Sequence, residues 1–189
     1  LGMTSREQLL SFLAKADDPN SGGRQMPQHY GHKDLRIVSQ SSPTGTQFLQ
    51  AVGCAMSRKW ENDHEIVYVS SGEGSTSEGE FHEALNWASR EKLPIIFHIQ
   101  DNEYAISVHV SEQTSGSSVF SMVNGYDNLS RYEVDGTNFF ETDLAFREAI
   151  ERARQGKGPS VIVSNVVRLL SHSSSDDQKK YRKKEDLDK

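Results

Sequence analysis

Two oxygen-bearing side chains follow consecutive apolar runs of the sequence, and their types suit a cation held beside a phosphate. Glu73 lies between Gly72 and Gly74, shortly after the run EIVYVS, and Asn102 stands 28 residues after Gly74, just past the run LPIIFHIQ. Mg²⁺ prefers six oxygen ligands and usually takes one or two carboxylates together with phosphate oxygens. Glycines let backbone amides approach a phosphate closely. The pattern favours a magnesium–diphosphate site, although a Gly-acid-Gly turn alone fits an ordinary strand-to-helix turn equally well.

The elements around this pair predict alternating strands and helices. Short apolar runs are typical of buried strands, and they occupy residues 65–70, 93–100 and 160–167, while YEVDG (132–136) is a further candidate strand. Apolar residues recur at helical spacing over 47–60 and 140–155, and capping boxes at Thr4–Glu7 and Ser77–Glu80 predict two more helix starts. Strands and helices in this order predict an α/β fold, a parallel sheet flanked by helices on both faces.

Such a sheet would bring Glu73 and Asn102 together. The interval between them returns the chain from the carboxyl end of one strand to the carboxyl end of the next parallel strand, where ligands bind in open α/β sheets. A helix that starts near Ser77 would also direct its positive end to this place. Residues 17–30 show little periodicity and predict an irregular loop, and the polar stretch 111–128 has no clear period.

Bulk properties limit the class of protein. A chain of 189 residues is long enough for one domain with a proper core, so a single domain over 1–189 is expected. The net charge of -6 argues against nucleic acid as the main partner, and the basic run Lys179–Lys184, flanked by acidic residues, is typical of a solvated helix or tail. No apolar stretch is long enough to cross a membrane. The single cysteine, Cys54, is predicted to be a small buried hydrophobe in a reducing compartment.

The segment SGEGSTSEGEFHEALNWASREKLPIIFHIQDNEYAIS (71–107) is similar to the thiamine-diphosphate motif of 2-oxo acid dehydrogenases, which reads Gly-(Asp or Glu)-Gly and, further on, Asn-Asn. The resemblance implies a thiamine-diphosphate-binding fold, with Mg²⁺ held by Glu73, Asn102 and the backbone oxygen of Tyr104. It places Gly72, Gly74 and Gln100 at the diphosphate. Asp101 replaces the usual first Asn, and Gln100 replaces an Arg that many relatives have.

Three further segments resemble the branched-chain (2-oxoisovalerate) alpha subunit: GRQMPQHYGHK (23–33), SSPTGTQ (41–47) and HSSSDD (172–177). The second resembles a potassium-binding turn beside the cofactor. It implies cofactor contacts from Ser42 and Thr44, and a K⁺ site formed by Ser41, Pro43, Thr46 and Gln47. A merely structural turn is the alternative reading of this loop.

The segment HSSSDD resembles a mobile loop that closes over the active site. The resemblance gives His172 a catalytic role in contact with the cofactor or the acid substrate, whereas a single His in a Ser-rich loop is by itself more often just solvated. In animal relatives the position of Ser173 is a regulatory phosphorylation site. Relatives also carry segments before and after the matching region, so the chain is expected to be a fragment of a longer one.

The implied activity is the decarboxylation of a 2-oxo acid, 2-oxoisovalerate in the branched-chain type, with transfer of the acyl group to a lipoyl-bearing acyltransferase. The cofactor carries the difficult chemistry. In the family the carboxylic acid that activates it comes from the beta subunit, so a beta subunit or a fused beta half is an expected partner. The expected location is the cytoplasm, or the mitochondrial matrix if the source is eukaryotic. The alternatives are a pyruvate or acetoin dehydrogenase alpha subunit, or a folded fragment that is inactive without its beta partner.

Overall fold

The computed structural model describes residues 1–61 and 64–183, and the chain forms two compact units, Leu1–Gln47 and Phe48–Lys189. The first unit holds helix α1 (Ser5–Phe12), and its predicted capping box is confirmed. The Glu7 backbone N–H donates to the Thr4 hydroxyl at 3.3 Å, and the Thr4 backbone N–H donates to the Glu7 carboxylate at 2.6 Å. Residues 17–30 form turns without regular structure, as predicted. The single-domain organisation stays a prediction.

A parallel sheet lies at the centre of the second unit. Its order is β1-β2-β6-β5, and a separate antiparallel hairpin joins β3 to β4. The strands are β1 (Val67–Gly72), β2 (Ile95–Asp101), β3 (Tyr104–Ala105), β4 (Val108–His109), β5 (Ser130–Asp135) and β6 (Ser160–Asn165). The predicted α/β fold with a parallel sheet is confirmed. Strand β1 begins and ends two residues later than its apolar run, because pairing with β2 sets Gly72 opposite Gln100.

Helices cover both faces of the sheet, as predicted. They are α2 (Thr46–Trp60) and α3 (Gly79–Glu91) on one face and α6 (Phe139–Arg154) on the other, and the chain also forms the short helices α4 (Val110–Gln113) and α5 (Val119–Met122). On one face, Phe48 of α2 and Phe81 of α3 pack with Phe97 of β2, with ring centroids 4.9 to 6.3 Å apart. On the other face, small residues of α6 pack against β2 and β6. Successive side chains of a strand point to opposite faces of the sheet, so β2 contributes residues to the packing on both sides.

Two local predictions are wrong. Ser77 does not cap α3, because Glu73–Ser77 form a 3-10 helix and Glu78 takes the cap position without a side-chain hydrogen bond. Cys54 is half-buried rather than fully buried. The polar region 111–128, which has no clear period in the sequence, forms a series of short helical turns, including α5, and it buries Val119 and Val123.

The described part of the tail contains a short 3-10 helix, Gln178–Lys180, which overlaps the start of the basic run Lys179–Lys184. Lys184, the last residue of that run, lies outside the described residues. In the parts of the chain that the structure describes, no helix is both long and apolar enough to cross a membrane.

Candidate functional site

Glu73 and Asn102 meet at the carboxyl end of the sheet. Strand β1 ends at Gly72, and its register partner Gln100 lies two residues before Asn102, so both strands deliver their following residues to the same edge. Glu73 is buried, with 1% of its surface exposed. Its Oε2 accepts hydrogen bonds from the Asn102 backbone N–H at 3.2 Å and from the Asn102 side-chain amide at 3.4 Å. The convergence expected from the spacing is confirmed.

Each of these two side chains also holds an acceptor oxygen that is not used. Among the described residues, Glu73 Oε1 and Asn102 Oδ1 are both inaccessible to solvent and have no hydrogen-bond partner. A buried polar atom without a partner costs free energy, so such atoms need a reason. One carboxylate oxygen and one neutral amide oxygen are ligands that Mg²⁺ accepts. The residues present therefore fit a hard cation.

Burial shifts the pKa values of the carboxylates at the corner formed by Glu73 and Asn102. Removal from water raises the pKa of Glu73, while hydrogen bonds from its own backbone N–H and from Asn102 lower it, and the neighbouring Asp101 raises it further. Burial also raises the pKa of Asp101, whose Oδ1 accepts a hydrogen bond from the Glu103 backbone N–H at 2.8 Å. A cation at the corner would offset the cost of ionising these buried carboxylates, because an adjacent positive charge favours the ionised form.

The hairpin β3–β4 packs against the Gly-Glu-Gly turn. A Cβ atom on Gly74 would lie 2.8 Å from the Ala105 Cβ, closer than real contacts allow, whereas a Cβ on Gly72 would meet only the Gln100 carbonyl at 3.9 Å. Gly74 is therefore required by the hairpin itself, a reason that the sequence did not reveal. This packing keeps Tyr104, which begins β3, beside the turn.

A second group of residues covers the ring of Tyr104. The guanidinium carbon of Arg168 lies 5.8 Å from the centroid of the Tyr104 ring and 5.6 Å from that of Tyr181. Arg168 donates a hydrogen bond to the Tyr181 hydroxyl at 2.6 Å, and that hydroxyl donates to Asp176 at 2.6 Å. Cation–π contacts and charge-assisted hydrogen bonds of this kind fix the segment that follows β6.

His172 lies within that segment but does not reach the corner. Its backbone N–H donates to Asp176 at 2.9 Å, and the residue is exposed. In the described ranges, no hydrogen bond joins the His172 ring to Glu73 or Asn102. Ser173 is also exposed, and its hydroxyl lies 3.2 Å from that of Ser175.

The remaining predicted site residues fall into two groups. Gln100 is in β2 opposite Gly72, with an exposed side chain. The predicted potassium residues, together with the predicted cofactor residues Ser42 and Thr44, belong to the first compact unit. Ser41, Ser42, Pro43 and Thr44 form the turn before α2, and Thr46 and Gln47 are the first two residues of that helix. The Ser42 hydroxyl lies 2.9 Å from His29 Nε2, which ties this turn to the loop 23–33.

Four residues in the second unit were not singled out by their pattern: Gln113, Arg168, Asp176 and Tyr181. Arg168 follows a buried strand and is thus at the carboxyl edge of the sheet, which is the one signal that could have found it. The others lie in polar stretches without period, where a single polar residue is more often solvated.

A parallel α/β sheet whose carboxyl edge holds unpaired buried oxygens defines a ligand-binding α/β protein with a candidate cation site. Comparison with known families makes this more definite. The Dehydrogenase E1 component family matches residues 1–189, and the chain belongs to that family.

Several relatives share much of the sequence. The chain is 44% identical over 187 residues to the 2-oxoisovalerate dehydrogenase subunit alpha of Bacillus subtilis (strain 168), covering 99% of the chain and 56% of the relative. It is 42% identical over 166 residues to the mitochondrial subunit of the same name from Mus musculus, covering 88% of the chain and 37% of the relative. A 3-methyl-2-oxobutanoate dehydrogenase subunit alpha of Mycobacterium tuberculosis (strain ATCC 25618 / H37Rv) is 39% identical over 149 residues, covering 79% and 40% respectively. The chain thus spans about half the length of these relatives or less, and the resemblance seen in the sequence is confirmed.

Proposed function

We propose that this chain is the cofactor-anchoring part of a thiamine-diphosphate-dependent 2-oxo acid dehydrogenase, acting in its alpha half. The observation that carries the proposal is the pair of buried acceptor oxygens on Glu73 and Asn102, which have no partner among the described residues. Membership of the Dehydrogenase E1 component family supports it. The names of the relatives support 2-oxoisovalerate, also called 3-methyl-2-oxobutanoate, as the substrate.

In this proposal, Glu73, Asn102 and the backbone oxygen of Tyr104 would hold Mg²⁺, and the ion would supply positive charge for the diphosphate. Thiamine diphosphate, when bound, supplies the electron sink that makes loss of CO₂ from a 2-oxo acid feasible. Because Glu73 is buried, its carboxylate would attract a bound cation more strongly than an exposed carboxylate does. The proposed diphosphate contacts are Gly72, Gly74, Gln100, Ser42 and Thr44, and K⁺ is assigned to Ser41, Pro43, Thr46 and Gln47.

His172 is the proposed catalytic residue of the chain. Its exposed position after β6 leaves the ring available to a substrate, and Asp176 holds its backbone. In the proposed role the ring donates a hydrogen bond to the charge that develops on the acid substrate, an interaction whose strength grows in the transition state.

The proposed partners are a beta subunit, or a fused beta half, and a lipoyl-bearing acyltransferase that accepts the acyl group. The beta part would supply the carboxylic acid that activates the cofactor. The chain without the beta part is therefore expected to release no CO₂ from a 2-oxo acid. Release of CO₂ by the purified chain alone would contradict the proposal that the beta part supplies the activating carboxylic acid. The proposed location is the cytoplasm, or the mitochondrial matrix in a eukaryote.

The test of the metal site is Glu73→Ala in the full-length chain assembled with its beta subunit. The variant should lose Mg²⁺-dependent binding of thiamine diphosphate, measured by titration calorimetry, while its circular dichroism spectrum stays that of the parent. Glu78→Ala is the matched control, because Glu78 is an exposed carboxylate of the same turn region. Unchanged cofactor affinity in Glu73→Ala would refute the proposed site.

Two alternatives remain distinct from this proposal. A pyruvate or acetoin dehydrogenase alpha subunit would share the metal site but prefer another 2-oxo acid. A folded fragment that is inactive without its beta partner would gain cofactor binding only on assembly. Comparing the isolated chain with the assembled protein in the same calorimetric titration separates the second alternative from an independently competent domain.

A further inference from the structure

Gln113 touches the candidate metal turn from outside. This residue ends the four-residue helix α4, and its side-chain amide nitrogen lies 3.3 Å from the Glu73 carbonyl oxygen and 3.3 Å from the Gly74 carbonyl oxygen. An amide NH₂ group carries two N–H donors, so one Gln side chain can satisfy two consecutive carbonyls. Neither the sequence pattern nor the proposed mechanism gives this residue a role.

The contact fixes the backbone that carries the Glu73 carboxylate. The Glu73 carbonyl also accepts a hydrogen bond from the Thr76 hydroxyl at 2.7 Å, so both of its acceptor positions are occupied. The Thr76 hydroxyl and the Gln113 amide both donate to the Glu73 carbonyl, and the Gln113 amide also donates to the Gly74 carbonyl. These hydrogen bonds define the orientation of the peptide that joins Glu73 to Gly74. That orientation in turn sets where the Glu73 side chain begins.

Helix α4 is itself tied to the other side of the corner. The Val110 backbone N–H, in the first turn of α4, donates to the Glu103 carbonyl at 2.8 Å. Glu103 is the residue after Asn102, and its own N–H is held by Asp101. Gln113 therefore links the Glu73 turn to the hairpin that follows Asn102, so the two buried oxygens are fixed relative to each other.

We infer that Gln113 is a positioning residue that holds Glu73 and Asn102 in the geometry a shared cation needs. The inference rests on the proposed function of that pair. The Gln113 amide nitrogen faces the two backbone carbonyls of the turn, so the role inferred for it is positioning rather than coordination. Groups that orient metal ligands in this indirect way typically contribute about 10- to 100-fold to metal affinity.

The test compares Gln113→Met with Glu112→Gln in the full-length chain assembled with its beta subunit. Methionine keeps the unbranched shape of Gln but donates no hydrogen bond, and Glu112 is an exposed neighbour on the same helix. The readout is the Mg²⁺ concentration at half-saturation for binding of thiamine diphosphate, followed by calorimetry without any assay of activity. Gln113→Met should raise that concentration about 10- to 100-fold, whereas Glu112→Gln should leave it unchanged.

Excess Mg²⁺ separates positioning from coordination and from folding. It should restore binding to Gln113→Met, because the ligands remain, but not to Glu73→Ala, which lacks one. Gln113→Leu is a second variant for the case that Gln113→Met does not fold. If the Gln113 variants fold and keep the parental Mg²⁺ dependence while Glu73→Ala loses binding, the inference about Gln113 is wrong and the proposed metal site stands. If Glu73→Ala also binds normally, both are wrong.

Discussion

The corner formed by Glu73 and Asn102 and the segment Arg168–Arg182 are organised in opposite ways. The corner is buried and leaves two acceptor oxygens without partners among the described residues. The segment is largely exposed, yet its carboxylate Asp176 accepts hydrogen bonds from the Tyr181 hydroxyl and from the His172 backbone. Since unpaired buried oxygens cost free energy, a bound cation would stabilise the corner, whereas the Asp176 carboxylate of the segment already has its partners within the chain.

In the proposed function, this difference corresponds to separate tasks for the two regions. A rigid, buried corner suits the anchoring of a charged group, because its ligands are fixed before the ion binds. An exposed segment held by a few polar contacts can present a side chain to a substrate and release it again. Variants in the corner should therefore change binding, and variants in the segment should change rate.

The largest effect is expected for His172→Ala. If its ring stabilises the transition state, kcat and kcat/KM of the assembled enzyme should fall on the order of 10²- to 10³-fold, while cofactor affinity stays near normal. Ser174→Ala, an exposed neighbour in the same segment, is the control. A near-normal rate for His172→Ala would indicate that this residue is only solvated. The corner and the segment would then not differ in their effects on binding and rate.

The second prediction concerns the substrate. The assembled enzyme should prefer 2-oxoisovalerate to pyruvate in direct competition, because the loop 23–33 and the turn 41–47 resemble the branched-chain subfamily. Each methylene that fits an apolar pocket contributes about 1–3 kcal/mol, so the ratio of kcat/KM values should exceed about tenfold. A ratio at or below one would place the enzyme in the pyruvate or acetoin class.

Tyr181→Phe should loosen the segment and leave the corner intact. The variant keeps the ring beside Tyr104 but removes the hydroxyl that joins Arg168 to Asp176. Loss of these hydrogen bonds should make amide hydrogen exchange over residues 168–183 about five- to tenfold faster. Exchange at Asn102 serves as the internal control, and equal acceleration there would show that the two regions are not independent.

The smallest effect is expected for Glu103→Gly. Glu103 has a φ of 69°, a left-handed conformation that costs a residue with a Cβ more than it costs glycine. Replacement should raise the free energy of unfolding by up to about 1 kcal/mol, measured by urea denaturation. Glu103→Ala, which keeps the Cβ, should change it little, and a destabilised Glu103→Gly would mean that this backbone strain is not relieved by glycine.

The central strands β2 and β6 were predictable from the sequence because they are buried on both faces and so appear as continuous apolar runs, whereas the edge strands β1 and β5 are only partly buried. The spacing between Glu73 and Asn102 was enough to predict their convergence, since it equals one strand–helix–strand return. The start of α3 was misplaced, because a Ser-x-x-Glu pattern fits a capping box whether or not a 3-10 helix intervenes. The close contact between Gly74 and Ala105 was not predictable, because each strand of the β3–β4 hairpin has only two residues and shows no apolar period.

The segment after β6 was harder to predict for a different reason. Arg168, Asp176 and Tyr181 are brought together by contacts that no periodicity records, and each alone resembles a solvated polar residue. The role of His172 rested on resemblance, and its place in the structure neither joins it to the corner nor prevents its meeting a substrate. Local polar networks of this kind are defined by three-dimensional packing rather than by residue type.

The most direct test of the central claim is a double-mutant cycle between Glu73→Gln and Asn102→Ala, read as the Mg²⁺ concentration that half-saturates thiamine diphosphate binding. If both side chains hold one ion, the two substitutions should be non-additive, with a coupling of about 0.5–3 kcal/mol. The double variant would then lose less than the sum of the single losses. Losses that add to within about 0.3–0.5 kcal/mol would contradict the account, because they would show that Glu73 and Asn102 act on cofactor binding independently.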